Sequence, residues 1–147
     1  MPSSARYPMR NLALAALLAL FPITAQAAPL TITIEGIRNA KGEIRISVYT
    51  SPAAWPDHPK GDHDGALPAQ LGRVTFTFDL PPGTYAVNGF HDEFGDGKFK
   101  TSLIGLPEEG YLFSNNVRPL LSAPSFASAS FQLPPEGASI AIAVQYP

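Results

Sequence analysis

The residues of this chain most suited to chemistry lie in GFHDEFGDGKFK, residues 89–100, which has the composition of a calcium-binding loop. Asp92 and Asp96 lie four residues apart, and Gly97 follows the second aspartate. Calcium is bound by oxygen ligands, which carboxylate and carbonyl groups supply at alternating positions of such a loop. Glu108 lies close enough in sequence to add a third carboxylate. One hypothesis is therefore a calcium site formed by Asp92, Asp96 and Glu108.

The spacing of these residues departs from that of an EF-hand. With Asp92 as the first position, Phe94 is the third, Lys100 the ninth and Leu103 the twelfth. An EF-hand loop places oxygen ligands at these positions, and a phenyl ring, an ammonium group and an aliphatic chain cannot replace them. A calcium site here would need a different arrangement of carboxylates.

The same residues also suit a tight turn at the end of a strand, which is the interpretation that we favour. Asp and Gly are frequent in turns because Asp accepts hydrogen bonds from nearby backbone and Gly tolerates positive φ. Asp92 and Asp96 are then predicted to accept backbone N–H bonds, and Gly95 and Gly97 to adopt positive φ. The polar segment SNN, residues 114–116, is predicted to fix the far end of the loop.

A second group of metal-binding residue types lies in DHPKGDHD, residues 57–64. His58 and His63 are five residues apart and could converge on a zinc, copper or nickel ion, with the neighbouring aspartates as oxygen ligands. The alternative is a solvated loop, of which Asp, His, Pro and Gly are ordinary residues. Trp55 precedes this group, and a single tryptophan is expected to be largely buried, here over an open end of the fold.

Catalytic arrangements are harder to assemble from this sequence. Ser114 has no candidate base close in sequence, and a nucleophile needs both a base and a group that orients the base. Glu108 and Glu109 are adjacent, so in an extended chain their side chains point to opposite sides. His91 is expected to hydrogen-bond loop backbone at the end of a strand. The sequence therefore predicts a non-enzymatic protein, with a hydrolase as the alternative.

The elements that must position these residues are β-strands, because apolar and polar residues alternate with a period of two. In LTITIEG, residues 30–36, Leu30, Ile32 and Ile34 alternate with polar residues. Strands are likewise predicted at residues 43–49, 73–80, 84–91, 127–133 and 139–146. The turn sequences RNAKGE, LPPGTY and PPEG link successive pairs, so three hairpins are predicted. Strands with one apolar face each predict an all-β fold of two antiparallel sheets packed face to face.

Two long connections interrupt these strands, at residues 51–71 and 92–125. Loops of this length in a compact domain are usually functional or partly structured. We therefore expect either connection to hold a short edge strand or a single helical turn.

The N-terminus has the features of a cleaved export leader, residues 1–27. Two arginines precede the apolar run LALAALLALF, and AQA, residues 25–27, has the small-residue pattern of a cleavage site. The run is about half of the roughly 20 residues that span a membrane. Residues 28–147 then form one domain without cysteine, periplasmic or extracellular, with no transmembrane segment. That domain has 12 acidic and 8 basic residues, and its net charge of −4 disfavours nucleic acid and anionic membranes as partners.

Residues 80–116 resemble the signature of the exported bacterial family catalogued as domain of unknown function 2141. The signature has a strand ending in His-Asp-Glu-Asn-x-Asn-Gly and then Gly-(Ile/Leu)-Pro-x-Glu-Gly-(Tyr/Phe)-x-Phe-Ser-Asn-Asn; the corresponding segments here are HDEFGDG and GLPEEGYLFSNN. The resemblance implies a small exported β-sandwich, transthyretin-like or immunoglobulin-like, and it implies no activity. Phe94 and Lys100 stand where the signature favours asparagine and aspartate, which argues against a metal site.

We therefore expect an accessory or binding module whose surface is the long loop at residues 92–116, with a protein or small-molecule partner. Long loops on a rigid sandwich commonly carry recognition. The alternative function is that of a calcium- or transition-metal-binding structural or metal-handling protein, and no cofactor is predicted besides the calcium hypothesis. The candidate surface residues are His91, Asp92, Glu93, Asp96, Glu108, Glu109, Tyr111, Phe113, Ser114, Asn115 and Asn116.

Overall fold

The structure is a computed structural model that describes residues 26–57 and 60–147. His58 and all but the last two residues of the predicted leader lie outside the described residues. The described part of the chain holds eight β-strands and one short α-helix. They are β1 (Ala28–Ile37), β2 (Glu43–Tyr49), β3 (His63–Pro68), β4 (Gly72–Leu80), β5 (Gly83–Asp92), β6 (Tyr111–Phe113), α1 (Phe126–Ala129), β7 (Phe131–Leu133) and β8 (Ala138–Ala143).

The strands form two sheets that share one apolar core. β1 is the centre of a three-stranded sheet, with β4 on one side and β8 on the other. The second sheet has the order β3–β2–β5–β6, and β7 also pairs with β5. Ile32 and Ile34 of β1 and Ile44 and Ile46 of β2 belong to the same buried cluster, and burial of each such side chain contributes roughly 1.5–3 kcal/mol. The predicted two-sheet β-sandwich is confirmed.

The three predicted hairpins are wrong, because each short connection carries the chain from one sheet to the other. β1 and β4 belong to the three-stranded sheet, whereas β2 and β5, which follow them, belong to the second. β7 and β8 are divided in the same way. Strands with one apolar face bury it equally well side by side or face to face, so alternation does not distinguish the two arrangements. One pair also departs from the predicted antiparallel order, since β1 and β8 are parallel.

The prediction of one continuous strand at residues 127–133 is also wrong. The chain first forms the single helical turn of α1, and β7 begins only at Phe131, where pairing with β5 starts. The side chain of Ser125 accepts the backbone N–H of Ser128. A serine in this position satisfies a donor that the first helical turn leaves unpaired, and it therefore favours the turn over an extended chain.

The connection between β1 and β2 packs against the end of β5, where the long loop at residues 92–116, the candidate loop, begins. Gly42 has a φ of 64°, and a Cβ built on it would lie 1.7 Å from the carbonyl oxygen of Asp92. Glycine is therefore required both by the backbone conformation and by the close approach. This contact fixes the first residue of the loop against the body of the sandwich.

The two long connections cover the outer face of the second sheet. β5 is buried from Tyr85 to Asp92 on both faces: Tyr85 and Val87 join the core between the sheets, and Asn88 and Phe90 point the other way. Each connection also contains a short strand, β3 in the first and β6 in the second, as expected. No helix in the described ranges is long and apolar enough to cross a membrane.

Candidate functional site

Asp92, the last residue of β5, is fully buried and organises the turn that follows it. Its carboxylate accepts the backbone N–H groups of Gly95 (2.8 Å), Asp96 (3.2 Å) and Gly97 (2.7 Å). The Nε of Arg45 on β2 lies 3.2 Å from the same carboxylate. Both glycines have positive φ, 70° and 74°. The hydrogen bonds predicted for a tight turn are confirmed, and they occupy both oxygens of Asp92.

Asp96 is exposed and carries a lysine partner. Its carboxylate accepts the backbone N–H of Lys98 at 3.1 Å, and the Nζ of Lys100 lies 3.1 Å from it. The backbone hydrogen bond from Lys98 and the charge of Lys100 hold the pKa of Asp96 below its ordinary value. The same Nζ lies 3.9 Å from the ring centroid of Phe94. Two residues that depart from the family signature thus form the contacts of this turn.

Glu109 is a second buried carboxylate of the loop, whereas Glu108, the sequence candidate for calcium, is exposed. The Oε2 of Glu109 accepts the backbone N–H of Lys100 at 3.0 Å, and Oε1 has no hydrogen-bond partner among the described residues. Burial raises the pKa of Glu109, and the negative charges of Asp92 and Asp96 add to that rise. Across residues 26–57 and 60–147, no three His, Asp or Glu side chains are grouped so as to hold a metal ion.

His91 is fully buried and holds two chain segments together. Its Nε2 lies 2.7 Å from the carbonyl oxygen of Lys41, and its Nδ1 lies 2.8 Å from the hydroxyl of Tyr146. Because a carbonyl oxygen only accepts, Nε2 carries a proton, and in the neutral ring Nδ1 then accepts from the tyrosine hydroxyl. The tyrosine oxygen in turn accepts the backbone N–H of Arg38 at 3.1 Å. The expectation that His91 hydrogen-bonds loop backbone is confirmed.

Glu93 belongs to the same end of the fold. Arg38 and Asn39 donate to its two carboxylate oxygens, and the second of these bonds measures 2.7 Å. Burial acts to raise the pKa of Glu93, but these hydrogen bonds outweigh burial and leave the pKa below its ordinary value. Glu93 therefore fastens the β1–β2 connection to the start of the candidate loop.

Ser114 is buried where the candidate loop rejoins the sheet, directly after β6. Its hydroxyl oxygen accepts the backbone N–H of Val87 on β5 at 2.9 Å and donates to the carbonyl of Ala129 at the end of α1. Both capacities of the hydroxyl are thus satisfied by backbone groups. Ser114 ties β5 to α1.

Asn115 and Asn116 continue the same anchoring on two further segments. The side-chain amide of Asn115 donates to the carbonyl groups of Ser128 (3.1 Å) and Ser130 (2.8 Å). The Oδ1 of Asn116 accepts the N–H of Ala143 on β8 at 2.8 Å. Their φ angles of 59° and 52° lie in the left-handed region, which asparagine tolerates better than most residues. The prediction that SNN fixes the far end of the loop is confirmed.

The first long connection is fixed to the same sheet face by Trp55 and its neighbours. The Trp55 ring contacts Tyr49 edge-on at 5.2 Å and packs against Phe113 at 5.9 Å, and its Nε1 donates to the carbonyl of Pro124 at 2.7 Å. Asn88 on β5 donates to the carbonyl of Pro56 at 2.5 Å. Trp55 is half-buried, but it packs over the outer face of the second sheet and not over an open end of the sandwich.

The residues proposed for a transition metal do not form a described cluster. His63 is exposed at the start of β3, and His58 lies outside the described residues. Asp62 accepts the backbone N–H (2.7 Å) and the hydroxyl (2.9 Å) of Thr50, and these bonds lower its pKa. Asp64 accepts the hydroxyl of Ser47. The aspartates of this segment thus hold the start of β3 against β2.

An apolar groove lies on the outer face of the second sheet, between the candidate loop and the segment that follows β6. It consists of two adjoining hollows of about 370 and 280 Å³, which share Phe99, Tyr111, Phe113 and Ala123. The larger hollow is bordered by Leu106 and residues 119–123. Phe99 packs against Phe90 of β5 at 5.6 Å, so the floor of the groove continues into the sheet.

Exposed aliphatic side chains occur in two segments, residues 103–104 and 120–121, of which the second lines the groove and forms its rim. Leu103 and Ile104 are 108% and 81% exposed, and Leu120 and Leu121 are 94% and 102% exposed. The first pair lies next to the lining residues 105–107, and the second pair lines the larger hollow. Contiguous exposed apolar groups of this kind mark interaction sites more often than scattered single ones do.

The structure divides the eleven predicted surface residues into three groups. The side chains of His91, Asp92, Glu109 and Ser114 are buried, so they support the loop from inside. Asp96, Glu108, Asn115 and Asn116 are exposed, and Glu93, Tyr111 and Phe113 are intermediate. Only Tyr111 and Phe113 of the eleven line the groove. The sequence did not predict the lining residues Phe99, Leu106 and 119–123, among which the adjacent Leu120 and Leu121 form an apolar pair outside the predicted strands.

Fold and site together define a small β-sandwich whose long connections form an apolar groove on one outer sheet face. Over residues 32–141 the chain matches the family model described as an uncharacterized protein conserved in bacteria (DUF2141), and it belongs to that family. The family resemblance read from residues 80–116 is confirmed. No curated protein and no solved structure matches the chain.

Proposed function

We propose that this protein is an exported, non-enzymatic binding module that holds an apolar segment of a partner protein in the groove over the second sheet. The observation that carries this proposal is the pairing of an aromatic floor with the exposed side chains of Leu120 and Leu121 in the same groove. Binding sites are typically concave and lined mainly by apolar and aromatic side chains. Export is supported by the leader features of residues 1–27.

The floor of the groove is rigid because its rings are fixed to the sheet. Tyr111 and Phe113 belong to β6, which is hydrogen-bonded to β5, and Phe113 also contacts Trp55. Backbone bonds between Tyr111 and Gln145 hold the other edge of β6 at 2.9 and 2.8 Å. A partner that inserts apolar side chains therefore meets a preorganised surface, which lowers the entropic cost of binding.

The charges around the groove favour a polypeptide partner over an anionic membrane. Lys98, Glu108 and Arg118 are exposed, and each is next in the chain to a residue that lines the groove. Two positive charges against one negative charge suit an apolar peptide with acidic flanking residues, because electrostatic complementarity contributes specificity. The net charge of −4 for residues 28–147 opposes adsorption to an anionic bilayer.

The proposal includes no enzymatic role because the reactive side chains already form hydrogen bonds inside the fold. The His91 ring nitrogens, the Ser114 hydroxyl and the Asp92 carboxylate are each engaged by backbone or side-chain partners inside the fold. A nucleophile must be within reach of a base and open to a substrate. None of these three groups is exposed.

The test is selection of displayed peptides on the immobilised protein, followed by titration of a selected peptide. Trp55 is the one tryptophan of the chain and packs 5.9 Å from Phe113, so its fluorescence reports binding in the groove. We expect selected peptides to contain clustered Leu, Ile, Phe or Trp. Substitution of both Leu120 and Leu121 by serine should weaken their binding at least about ten-fold, because two anchoring contacts are lost.

Leu71→Ser is the matched control, because Leu71 is 74% exposed and lies outside the groove lining. It should leave peptide binding unchanged, and all variants should keep the melting temperature of the parent. If the double serine variant bound the peptide as tightly as the parent, the binding site would lie outside the groove. If no peptide were selected and the protein bound phosphatidylglycerol vesicles, the partner would be a membrane and not a protein.

A further inference from the structure

A second surface, the outer edge of β8, is independent of the groove and of the proposed function. β8 is an edge strand of the three-stranded sheet and pairs with β1 on one side. Among the described residues, no strand pairs with its other side between Ala138 and Ile142. An edge strand presents unpaired N–H and C=O groups that can accept another strand.

The hydrogen bonds at the end of β8 show which backbone groups point outward. The N–H of Val144 donates to the carbonyl of Glu35 on the β1 side at 2.9 Å, and the N–H of Ala143 points away from β1, to Asn116. Because direction alternates along a strand, the N–H and C=O groups of Ser139 and Ala141 also point outward.

This edge ends where other parts of the fold occupy it. Asn116 takes the outward N–H of Ala143, and Gln145 pairs with Tyr111 of β6. The free length is therefore about four residues, Ala138–Ala141, which presents the two outward N–H and two outward C=O groups of Ser139 and Ala141.

β8 also lacks the features that usually prevent strands from pairing across molecules. Charged side chains, prolines and bulges protect natural edges. The other long edges carry them: β3 contains Asp64 and Pro68, and β4 contains Arg73 and Asp79. The chain from Gly137 to Gln145 contains neither a charged residue nor a proline.

We propose that β8 pairs antiparallel with β8 of a second copy of this chain and so joins two three-stranded sheets into one of six strands. When a strand pairs antiparallel with itself, a charge near the two-fold axis comes close to the same charge of the second copy, which is destabilising, and β8 has no charge. With Ile140 at the two-fold axis, Ser139 faces Ala141 of the second copy, and four backbone hydrogen bonds form. Both residues have small side chains on the solvent face, so neither obstructs the approach.

Amide hydrogen exchange at two protein concentrations tests this pairing without any substitution. The two concentrations, about 10 μM and about 1 mM, bracket the affinity of a small interface. The amides of Ile140 and Ile142 should each have the same protection at both concentrations, because they donate to β1 within the sheet of one molecule. The amides of Ser139 and Ala141 should gain at least about ten-fold protection at the higher concentration, where most of the chain is paired. Equal exchange of these two amides at both concentrations, with a monomer mass at 1 mM, overturns the proposal.

Ala141→Pro supplies the matched variant. Proline removes the one outward N–H at this position and leaves the bonds to β1 in place, so an edge strand tolerates it. We expect sedimentation to show a monomer–dimer equilibrium for the parent and for Ser139→Ala, and a monomer for Ala141→Pro at every concentration. Dimers of unchanged affinity in Ala141→Pro would place the interface elsewhere. If this variant unfolds, Ala141→Lys, which adds a like charge near the two-fold axis, must give the monomer instead.

Discussion

Replacement of Asp92 by alanine tests whether the acidic stretch after β5 is a turn held by its own backbone. The substitution removes a buried carboxylate that accepts three backbone N–H groups and faces Arg45. These donors would then lose their acceptor in a segment already packed against Gly42. We expect a large loss of stability in the absence of any added metal.

The magnitude follows from the number of donors and their access to water. A hydrogen bond to a charged group contributes about 1.5–3 kcal/mol, and loss of its acceptor leaves the donor unsatisfied. Gly95 and Asp96 are exposed, so water can replace part of what is lost there. Two bonds at the lower end of that range give about 3 kcal/mol for Asp92→Ala, or a melting temperature roughly 10 °C lower. Asp92→Asn keeps one acceptor oxygen and should lose about half as much.

Urea unfolding, followed by Trp55 fluorescence and by circular dichroism, measures these differences. Asp96→Ala is the control, because Asp96 is exposed, and it should lower stability far less than Asp92→Ala. If the free energy of unfolding of Asp92→Ala were within about 1 kcal/mol of that of the parent, the proposed role of Asp92 in holding the turn would be wrong. If millimolar calcium raised the melting temperature of the parent and not of Asp92→Ala, Asp92 would be a metal ligand and not the centre of a turn.

Three further substitutions address the interior of the loop. Ser114→Ala should lower the free energy of unfolding in urea by about 1–3 kcal/mol, because it leaves two buried backbone groups without a partner. Ser114→Thr keeps the hydroxyl, so an equal loss of stability in Ser114→Thr would contradict that reason. Tyr146→Phe should cost about 1–2 kcal/mol, because the hydroxyl joins His91 to Arg38, and an unchanged midpoint would mean that this link is not formed. Glu109 has a raised pKa when folded, so its protonated form stabilises the protein at low pH, and this contribution is lost as pH rises through the folded pKa. Glu109→Gln resembles the protonated form, so its melting temperature relative to the parent should rise between about pH 4 and pH 7, and a pH-independent difference would show that Glu109 does not titrate in this range.

The strands were largely predictable because burial in a two-sheet fold imposes a period of two. Leu30, Ile32 and Ile34 of β1 are all fully buried, as the alternation indicates. The partner of each strand was not predictable, since β1 could bury that face with β2 beside it or opposite it. The short turn sequences did not resolve this choice, because a turn of the same length can return within one sheet or cross to the other.

The anchoring residues of the candidate loop were predictable, and the groove was not. Asp92 and Ser114 belong to residue types that hydrogen-bond nearby backbone, so their local chemistry identifies their role. Phe99 and Leu120 acquire a role only when the two ends of a long connection meet over β5. No spacing in the sequence encodes that meeting, because Phe99 and Leu120 themselves lie outside any regular strand or helix.

The most distinctive residues of the loop therefore act by positioning other residues. Asp92 fixes where the loop leaves β5, Ser114 and Asn116 fix where it returns, and Glu109 packs beneath it. Changes to these residues should alter stability and binding together. Changes to the exposed rim leucines should alter binding alone, because their side chains contribute little to the core. On the proposed function, the residues that anchor the loop and the residues that contact a partner are thus two different sets.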